Sequence, residues 1–181
     1  LKAKEAGKDS EIEIKPSSDG PALAYVFKTT ADPYIGKMSI FRIFSGTIKT
    51  GSAYHVSGSK SVHKFTNLFK LQGKEQTDLS EATCGDIVAV SKILDISNDD
   101  TISSPDKPLE MGKITYPQPT LPRAIIPVSN GDEEKISMGI SKLVEEDPTL
   151  KTELNIEVHQ NIVWGMGDLH LAIVKENLKE K

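Results

Sequence analysis

The chain has 181 residues, of which 37% are hydrophobic and 27% charged, enough apolar material for one packed domain or two small ones. No apolar run approaches the length of a membrane-spanning helix, so no membrane partner is expected, and the single cysteine, Cys84, excludes an internal disulfide and fits a reducing compartment. The net charge is −4, yet residues 20–74 carry eight basic side chains and one acidic side chain.

The first part of the chain predicts β structure. Residues 1–19 are a polar lead-in segment, which predicts a loop or an edge strand because residues 11–14 alternate between charged and apolar. Residues 20–115 predict a small β-barrel, since short apolar stretches alternate with turn residues and no helical pattern intervenes. The predicted strands include residues 23–28, 38–44, 63–71 and 87–93.

The predicted strand at residues 38–44 is apolar on both of its faces. Phe41 and Ile43 lie on one face, whereas Met38, Ile40 and Phe44 lie on the other. A strand of this kind is covered on both sides. We therefore expect a second layer of protein to cover the outer face of the barrel at this strand, the face that carries Met38, Ile40 and Phe44.

Three prolines, Pro117, Pro119 and Pro122, predict a linker, and the pattern changes after them. Residues 116–181 predict a strand (123–128), a helix (132–146), two strands (154–158 and 161–164) and a second helix (168–179). This is the order of a split βαβ domain that lacks its last strand. Asn130 and Glu133 resemble a capping box at the start of the first helix. The predicted fold class is a β-barrel followed by a truncated α+β ferredoxin-like domain.

The sequence predicts no catalytic or metal-binding site in this chain. Residues 46–52 have the glycine spacing of a phosphate-binding loop, but Ser52 occupies the position of the lysine that reaches the phosphates. The four histidines are scattered, with no pair at the spacing of helical metal ligands. No neighbour of Cys84 would activate its thiol, so we expect it to pack as a small apolar residue.

Two charged stretches each leave two interpretations open. The basic side chains of residues 20–74 either face a polyanion, which would make binding fall with salt, or lie on the solvated faces of strands. The acidic residues Glu145, Glu146 and Asp147 end a predicted helix, where the helix dipole disfavours them. They are either a solvated helix end or a docking site for a cationic partner.

Five stretches of the chain resemble the elongation factor G family of translational GTPases. They are FKTTADPYIGK (27–37), RIFSGT (42–47), CGDIVA (84–89), EEDPTL (145–150) and GMGDLHL (165–171). They occur in the family's order and at about its spacing, and the last two together mark the third domain of this family. The resemblance covers the chain from Pro21 onwards, and it implies that the barrel is of the translation-factor type.

The resemblance implies that this chain is a fragment of a longer cytoplasmic protein. The parent would bind GTP with Mg²⁺ and promote ribosomal translocation in protein synthesis. The GTP-binding domain would lie outside this chain, which is then expected to hold no cofactor and to be inactive alone. The implied partners are the ribosome, through small-subunit rRNA and ribosomal protein, and the GTPase domain and later domains of the parent chain.

Candidate site residues follow from the resemblance together with the charge pattern. Ribosome or rRNA contact is predicted for the basic residues Lys28, Lys37, Arg42, Lys49, Lys60, Lys64 and Lys70. Coupling between domains is predicted for Ile40, Phe44, Glu146, Asp147, Gly165, Met166, Gly167, Asp168 and His170. For Asp168 and His170 the alternative is structural, as an acid at a helix start and an amphipathic surface ring.

Several positions depart from the family pattern. Asp168 and Ala172 stand where the family usually has glutamates, and Trp164 stands where a small residue is common. These departures leave a ribosomal-protection factor or a diverged elongation factor G paralogue as alternatives. An alternative of another class is a stand-alone β-barrel adaptor that binds RNA. A carbohydrate-binding module is disfavoured, because it would need a row of exposed aromatic rings and aromatics make up only 6% of the chain.

Overall fold

The structure, a computed structural model, describes residues 1–8, 10–32, 35–73, 75–127, 131–155 and 160–180. The chain divides into two compact units, Leu1–Ile114 and Thr115–Lys181. Each unit has a hydrophobic cluster of its own. Among the described residues, no helix has the length and apolarity that crossing a bilayer requires.

The first unit is built from short antiparallel strands. They are β1 (Lys2–Glu5), β2 (Glu11–Glu13), β3 (Leu23–Asp32), β4 (Gly36–Ser45), β5 (Thr47–Lys49), β6 (Ala53–Val56), β7 (Ser61–Lys64), β8 (Phe69–Gln72), β9 (Glu75–Asp78), β10 (Glu81–Thr83), β11 (Ile87–Ser91), β12 (Thr101–Ser103) and β13 (Leu109–Glu110). Eight of them form one sheet in the order β7-β6-β12-β3-β4-β11-β8-β9, and β5 pairs with β10.

The core of the first unit lies against one face of β3 and β4, here called the inner face. Val26, Phe41 and Ile43 are fully buried there because alternate residues of a strand point to the same side. The Phe65 ring lies 6.1 Å from the Phe41 ring and 5.1 Å from the Tyr54 ring. This sheet-built core confirms the predicted barrel-type class for the first unit.

The single strand predicted at residues 63–71 is wrong, since the chain forms β7 and β8 with a loop between them. Phe65 and Leu68 both reach the core from this loop. The Asn67 side chain donates to Ser91 Oγ at 2.6 Å and accepts from the Ser91 N–H at 3.2 Å. These side-chain bonds take the place of ladder bonds, so the apolar pattern is satisfied without a continuous strand.

The lead-in segment contains two strands, and of the two predicted alternatives, a loop or an edge strand, the edge strand is confirmed at β2. β1 pairs with β2 on one side and with β13 on the other. Ala3 and Ile14 of this segment pack with Leu23 and Leu109 in a small cluster. Residues 1–19 therefore fold as part of the first unit.

The second unit has the predicted order of strand, helix, strand, strand, helix. Its elements are β14 (Leu121–Ile125), α1 (Glu133–Glu146), β15 (Lys151–Asn155), β16 (Gln160–Gly165) and α2 (Asp168–Glu180), with the sheet order β14-β16-β15. Ile140, Leu143 and Val174 of the two helices pack with Val163 of the central strand. β14 and β15 flank β16, the strand that follows both of them in sequence. This is the split βαβ arrangement, so this part of the predicted fold class is also confirmed.

Some details of the second unit differ from the prediction. β14 begins before Pro122. This proline costs no ladder bond, because β14 is an edge strand and Pro122 is paired on one side only, with Trp164. β15 begins three residues before the predicted strand, and its Leu154 is 59% exposed. The helix α1 takes Asp132 as its N-cap, without a capping side-chain bond, so the predicted capping box is wrong. Asn130, Val128, Ile156 and Val158, to which predictions referred, lie outside the described residues.

Candidate functional site

Two turns of the second unit, each carrying one of the two third-domain motifs, are joined by the side chain of His170. Its Nε2 lies 2.9 Å from Oδ2 of Asp147, which directly follows α1. Its Nδ1 accepts a hydrogen bond of 3.1 Å from the backbone N–H of Met166, in the bend between β16 and α2. The predicted coupling residues Asp147, Met166 and His170 are therefore brought together.

The hydrogen bonds of His170 determine its tautomer. Nδ1 must carry a lone pair because it accepts from the Met166 N–H. The proton of the neutral ring is therefore on Nε2, which donates to Asp147. His170 is thus a bridge with an acceptor end and a donor end.

Asp147 is held by groups on both sides. Its Oδ1 accepts from the Thr149 N–H at 2.8 Å and from the Thr149 hydroxyl at 2.6 Å. Partial burial acts to raise the pKa of Asp147, but the hydrogen bonds from Thr149 and His170 outweigh burial and hold that pKa below its ordinary value. Asp147 is therefore a carboxylate fixed in place, directly after Glu146, the last residue of α1.

The glycines of the bend have unequal surroundings. A Cβ on Gly165 would lie 2.6 Å from Leu171 Cδ2 and 3.5 Å from His170 Nδ1, whereas a Cβ on Gly167 would meet nothing within 4 Å. Gly165 is therefore required by close packing under α2. Asp168 lies in the first turn of α2 and accepts from Arg123 of β14 at 2.9 Å, an exposed pair that contributes little to stability.

The helix α2 is apolar on two sides. Leu171, Val174 and Leu178 pack into the core of the unit. Met166, just before the helix, and Leu169 and Ile173 within it are 41%, 77% and 52% exposed. We call these three side chains the outer stripe. The outer stripe was not predicted, although its members are three and four residues apart in the sequence, a spacing that places side chains on one face of a helix.

The predicted rRNA contacts are spread over the first unit rather than gathered on one strand. Lys28 and Arg42 share the outer face of β3 and β4, because their register partners are Ile40 and Tyr25. Arg42 lies over the Phe44 ring, with 5.5 Å between its Cζ and the ring centroid. Lys70 points to the opposite side of β8 from Phe69, which packs on that outer face.

The remaining basic residues divide into paired and unpaired ones. Lys49 forms an ion pair of 3.3 Å with Glu81, and Lys37 donates to the Leu94 carbonyl at 2.8 Å. Lys60 lies in the turn between β6 and β7, and Lys64 ends β7. In the ranges that the structure describes, Lys28, Lys60, Lys64 and Lys70 are exposed and join no ion pair.

A polar cluster at the tip of the β6–β7 hairpin was not predicted from the sequence. Ser59 Oγ and Ser61 Oγ lie 2.8 and 3.3 Å from Nε2 of His63, and Asp95 Oδ2 lies 3.9 Å from the same nitrogen. A catalytic triad needs the acid on the other ring nitrogen, so this cluster does not activate a serine. It fixes the turn that carries Lys60, a residue with a positive φ of 53°.

The outer face of the barrel is partly covered within the unit. Met38 and Ile40 pack with Phe69 and Ala89. Ile40 and Phe44 stay half-exposed, and Ile87, on the same face, is 52% exposed. The expected covering of both faces is thus incomplete at the Phe44 end. Cys84 is half-buried beside it, and its thiol donates to the Phe44 carbonyl at 3.0 Å.

The stretch with the glycine spacing of a phosphate-binding loop, residues 46–52, contains a strand. Gly46 and Gly51 flank β5, so residues 46–52 are a short strand between two turns. Over the described parts of the chain, no three His, Cys, Asp or Glu side chains gather as metal ligands would. Pro33 and Tyr34 of the first motif lie outside the described residues.

Two family models match successive parts of the chain. The model described as "Elongation factor G domain 2" matches residues 21–104, and the model described as "Elongation Factor G, domain III" matches residues 116–181. Together they account for most of the sequence.

Curated relatives and a solved structure agree with these matches. Elongation factor G of Chlamydia trachomatis serovar D is 39% identical, covering 93% of this chain and 24% of that protein. Elongation factor G 2 of Syntrophomonas wolfei is 36% identical, covering 98% of this chain and 26% of that protein. A crystal structure of a Thermus thermophilus protein has a TM-score of 0.77 at 31% identity, over 90% of this chain and 24% of that one. The chain spans about a quarter of the length of the relatives it matches.

Proposed function

Because this chain belongs to the elongation factor G family and comprises its second and third domains, we propose that it is the ribosome-docking part of a cytoplasmic translation factor. In this proposal the parent protein promotes GTP-dependent translocation in protein synthesis, and this part also couples to the parent's GTP-binding domain. The observation that carries the proposal is the succession of both domain models, in family order, along one chain.

GTP and Mg²⁺ would be held by another domain of the parent. The stretch with the glycine spacing of a phosphate loop does not fit GTP, because Thr47–Lys49 is a strand and Ser52 replaces the lysine. We expect this chain alone neither to bind nor to hydrolyse GTP. Tight binding of a fluorescent GTP analogue by this chain would contradict that expectation.

The β6–β7 hairpin is the part of the barrel best suited to contact rRNA phosphates. Lys60 lies in its turn next to the hydroxyls of Ser59 and Ser61, and Lys64 lies at the other end of β7, opposite Ala53. Both lysines are exposed and join no ion pair among the described residues. Lysines and hydroxyls on a fixed turn position a protein on phosphates without reading base sequence, which suits a factor that docks on folded RNA. Lys49 is less suited, because Glu81 already neutralises it.

Two apolar surfaces are suited to contacts with other domains of the parent. The first is the outer face of the barrel near Phe44 and Ile87, where covering within the unit is incomplete. The second is the outer stripe of α2, which adjoins the bend held by His170. Exposed apolar side chains grouped on one face are typical of surfaces that a partner covers.

Ribosome binding by this chain tests the docking part of the proposal. The chain is sedimented with purified small subunits over a range of salt concentrations, and the same is done with Lys60→Glu/Lys64→Glu. Losing two phosphate contacts should lower the slope of log K against log salt by roughly 1.4 to 1.8 and weaken binding. The matched control is Lys142→Glu/Lys175→Glu, two exposed lysines of the second unit.

The result is decisive in either direction. If the hairpin variant binds less tightly and the control binds as the unchanged chain does, the hairpin contacts phosphate. If both variants lose affinity equally, only net charge matters, and the hairpin is not a contact. If the unchanged chain does not sediment with ribosomes even at low salt, the docking role is wrong.

A further inference from the structure

We propose that His170 is a pH-sensitive clasp between the two motif turns: the neutral imidazole holds both turns, and protonation releases the Met166 end while the Asp147 end stays bound. The clasp is a property of this chain alone, whereas its consequence for a partner domain rests on the proposed function.

The geometry makes the imidazole a link with two unlike ends. Nδ1 accepts from the Met166 N–H at 3.1 Å, and Nε2 donates to Asp147 at 2.9 Å. The two bonded residues are 19 positions apart in sequence and lie in different turns. The His170 side chain is only 20% exposed, so solvent does not readily substitute for either bond.

Protonation affects the two ends oppositely. A proton can be added only at Nδ1, because Nε2 already carries one. The Nδ1–H would then face the Met166 N–H, two donors with no acceptor between them, and that hydrogen bond is lost. At the other end a neutral donor becomes a charged one, which strengthens the bond to the Asp147 carboxylate.

The surrounding charges favour release of Met166 over release of Asp147. Asp147 is anchored independently by two hydrogen bonds from Thr149, so it does not need His170 to stay in place. Glu146 adds an acidic group at the end of α1. On the other packed elements, Asp168 of α2 and Arg123 of β14 pair with each other at 2.9 Å, and Asp147 lies 2.9 Å from the ring.

Release of Met166 would free the bend that carries the outer stripe. The side chain of Met166 is the first member of that stripe, and the neighbouring Gly165 packs closely under Leu171. A bend no longer held at the Met166 N–H can reposition the Met166 side chain without unfolding α2. Under the proposed function, that would change the surface offered to a partner domain.

The test is nuclear magnetic resonance of the full chain between pH 8 and pH 5. Imidazole nitrogen spectra should show the Nε2–H tautomer of His170 at the upper pH. As the pH falls, the hydrogen-exchange protection of the Met166 amide should fall about fivefold, corrected for the intrinsic pH dependence, as expected for the loss of one hydrogen bond. Protection of the Thr149 amide should stay constant, and Trp164 fluorescence should confirm that the unit remains folded.

Two variants separate the ends of the clasp. His170→Asn places an acceptor near the position of Nδ1 and does not titrate, so Met166 should remain protected over the whole pH range. His170→Gln places a donor near the position of Nε2, so Met166 should be unprotected at every pH. An Nδ1–H tautomer, a Met166 amide whose protection is unchanged between pH 8 and pH 5, or loss of Thr149 protection before that of Met166 would each overturn the proposal.

Discussion

Replacing Gly165 by alanine should destabilise the second unit, because the site leaves no room for a methyl group. The added Cβ would lie 2.6 Å from Leu171 Cδ2 and 2.8 Å from Leu171 Cγ. Rotation about χ2 alone cannot relieve the second contact, because it leaves Cγ in place. Either Leu171 changes its χ1 rotamer and leaves its packing against the core, or the first turn of α2 shifts.

The expected cost follows from this overpacking. Extra methyl groups in a packed site cost about 1–3 kcal/mol. A domain of this size has only about 3–10 kcal/mol of stability, so the change removes a sizeable part of it. The melting temperature of the second unit should fall by about 4–8 °C for each kcal/mol.

The sequence offers a convenient probe and a matched control. Trp164 is the only tryptophan of the chain and lies in β16, so its fluorescence follows urea unfolding of the second unit alone. Gly167→Ala, two residues further on, adds the same methyl where nothing lies within 4 Å, and should change stability by no more than about 0.5 kcal/mol.

A double variant tests the assigned cause. In a Leu171→Ala background the space beside Gly165 is open, so adding the methyl should cost much less than it does in the unchanged chain. Equal costs of Gly165→Ala in the two backgrounds would refute the steric argument. So would a loss of stability in Gly167→Ala as large as that in Gly165→Ala.

Three further perturbations have expected outcomes. Gly46→Ala should destabilise the barrel by more than about 3 kcal/mol in urea unfolding followed by circular dichroism, because the new Cβ would lie 2.6 Å from neighbouring backbone at a φ of +72°. Its control is Gly51→Ala, which should cost about 1 kcal/mol, because Gly51 has a φ of +83° but open space around it. Asp99→Ala should cost about 1–3 kcal/mol in the same assay, because it leaves the buried Tyr25 hydroxyl without its 2.8 Å acceptor. Because the pKa of Asp147 is lowered on folding, its stabilising contribution is complete above its ordinary pKa and is lost as the pH falls below it, so Asp147→Asn should flatten the acid limb of second-unit stability measured by fluorescence.

Local periodicity predicted those elements whose partners lie close in sequence. Ile140 and Leu143 of α1, three residues apart, are both buried, and α2 begins at Asp168 as predicted. The helices pack on a sheet built from neighbouring strands of the same unit, so their apolar faces are visible in a short window.

Contacts between distant residues were not accessible in the same way. The lead-in hairpin pairs with β13 and packs on Leu109, about a hundred residues further along the chain, which no local pattern reports. Phe65, Phe69 and Leu71 gave the alternation of one strand, although Phe65 reaches the core from the loop between β7 and β8. In this loop the Asn67 side chain makes the hydrogen bonds that a strand's backbone would make, and its partner Ser91 is distant in sequence.

For the candidate site as well, the sequence indicated residues but not the geometry that joins them. The resemblance to the family singled out Asp147 and His170, but their hydrogen bond spans 23 residues and depends on α1 ending where the β16–α2 bend lies. The tautomer of His170 depends on a backbone donor, Met166 N–H, which no side-chain pattern reveals. At the hairpin tip, Asp95 joins Ser59 and His63 only in the folded barrel.

The two units require different experiments, because their candidate residues are built into the fold to different degrees. Lys60 and Lys64 are exposed and take no part in the core, so reversing their charge should change binding while leaving the melting temperature in place. Gly165 and His170 are packed against Leu171 and Asp147, so most substitutions there lower the stability of the second unit. His170→Asn and His170→Gln are each designed to retain one of the two hydrogen bonds of the imidazole, so they separate the effect of the clasp from that of an unfolded domain.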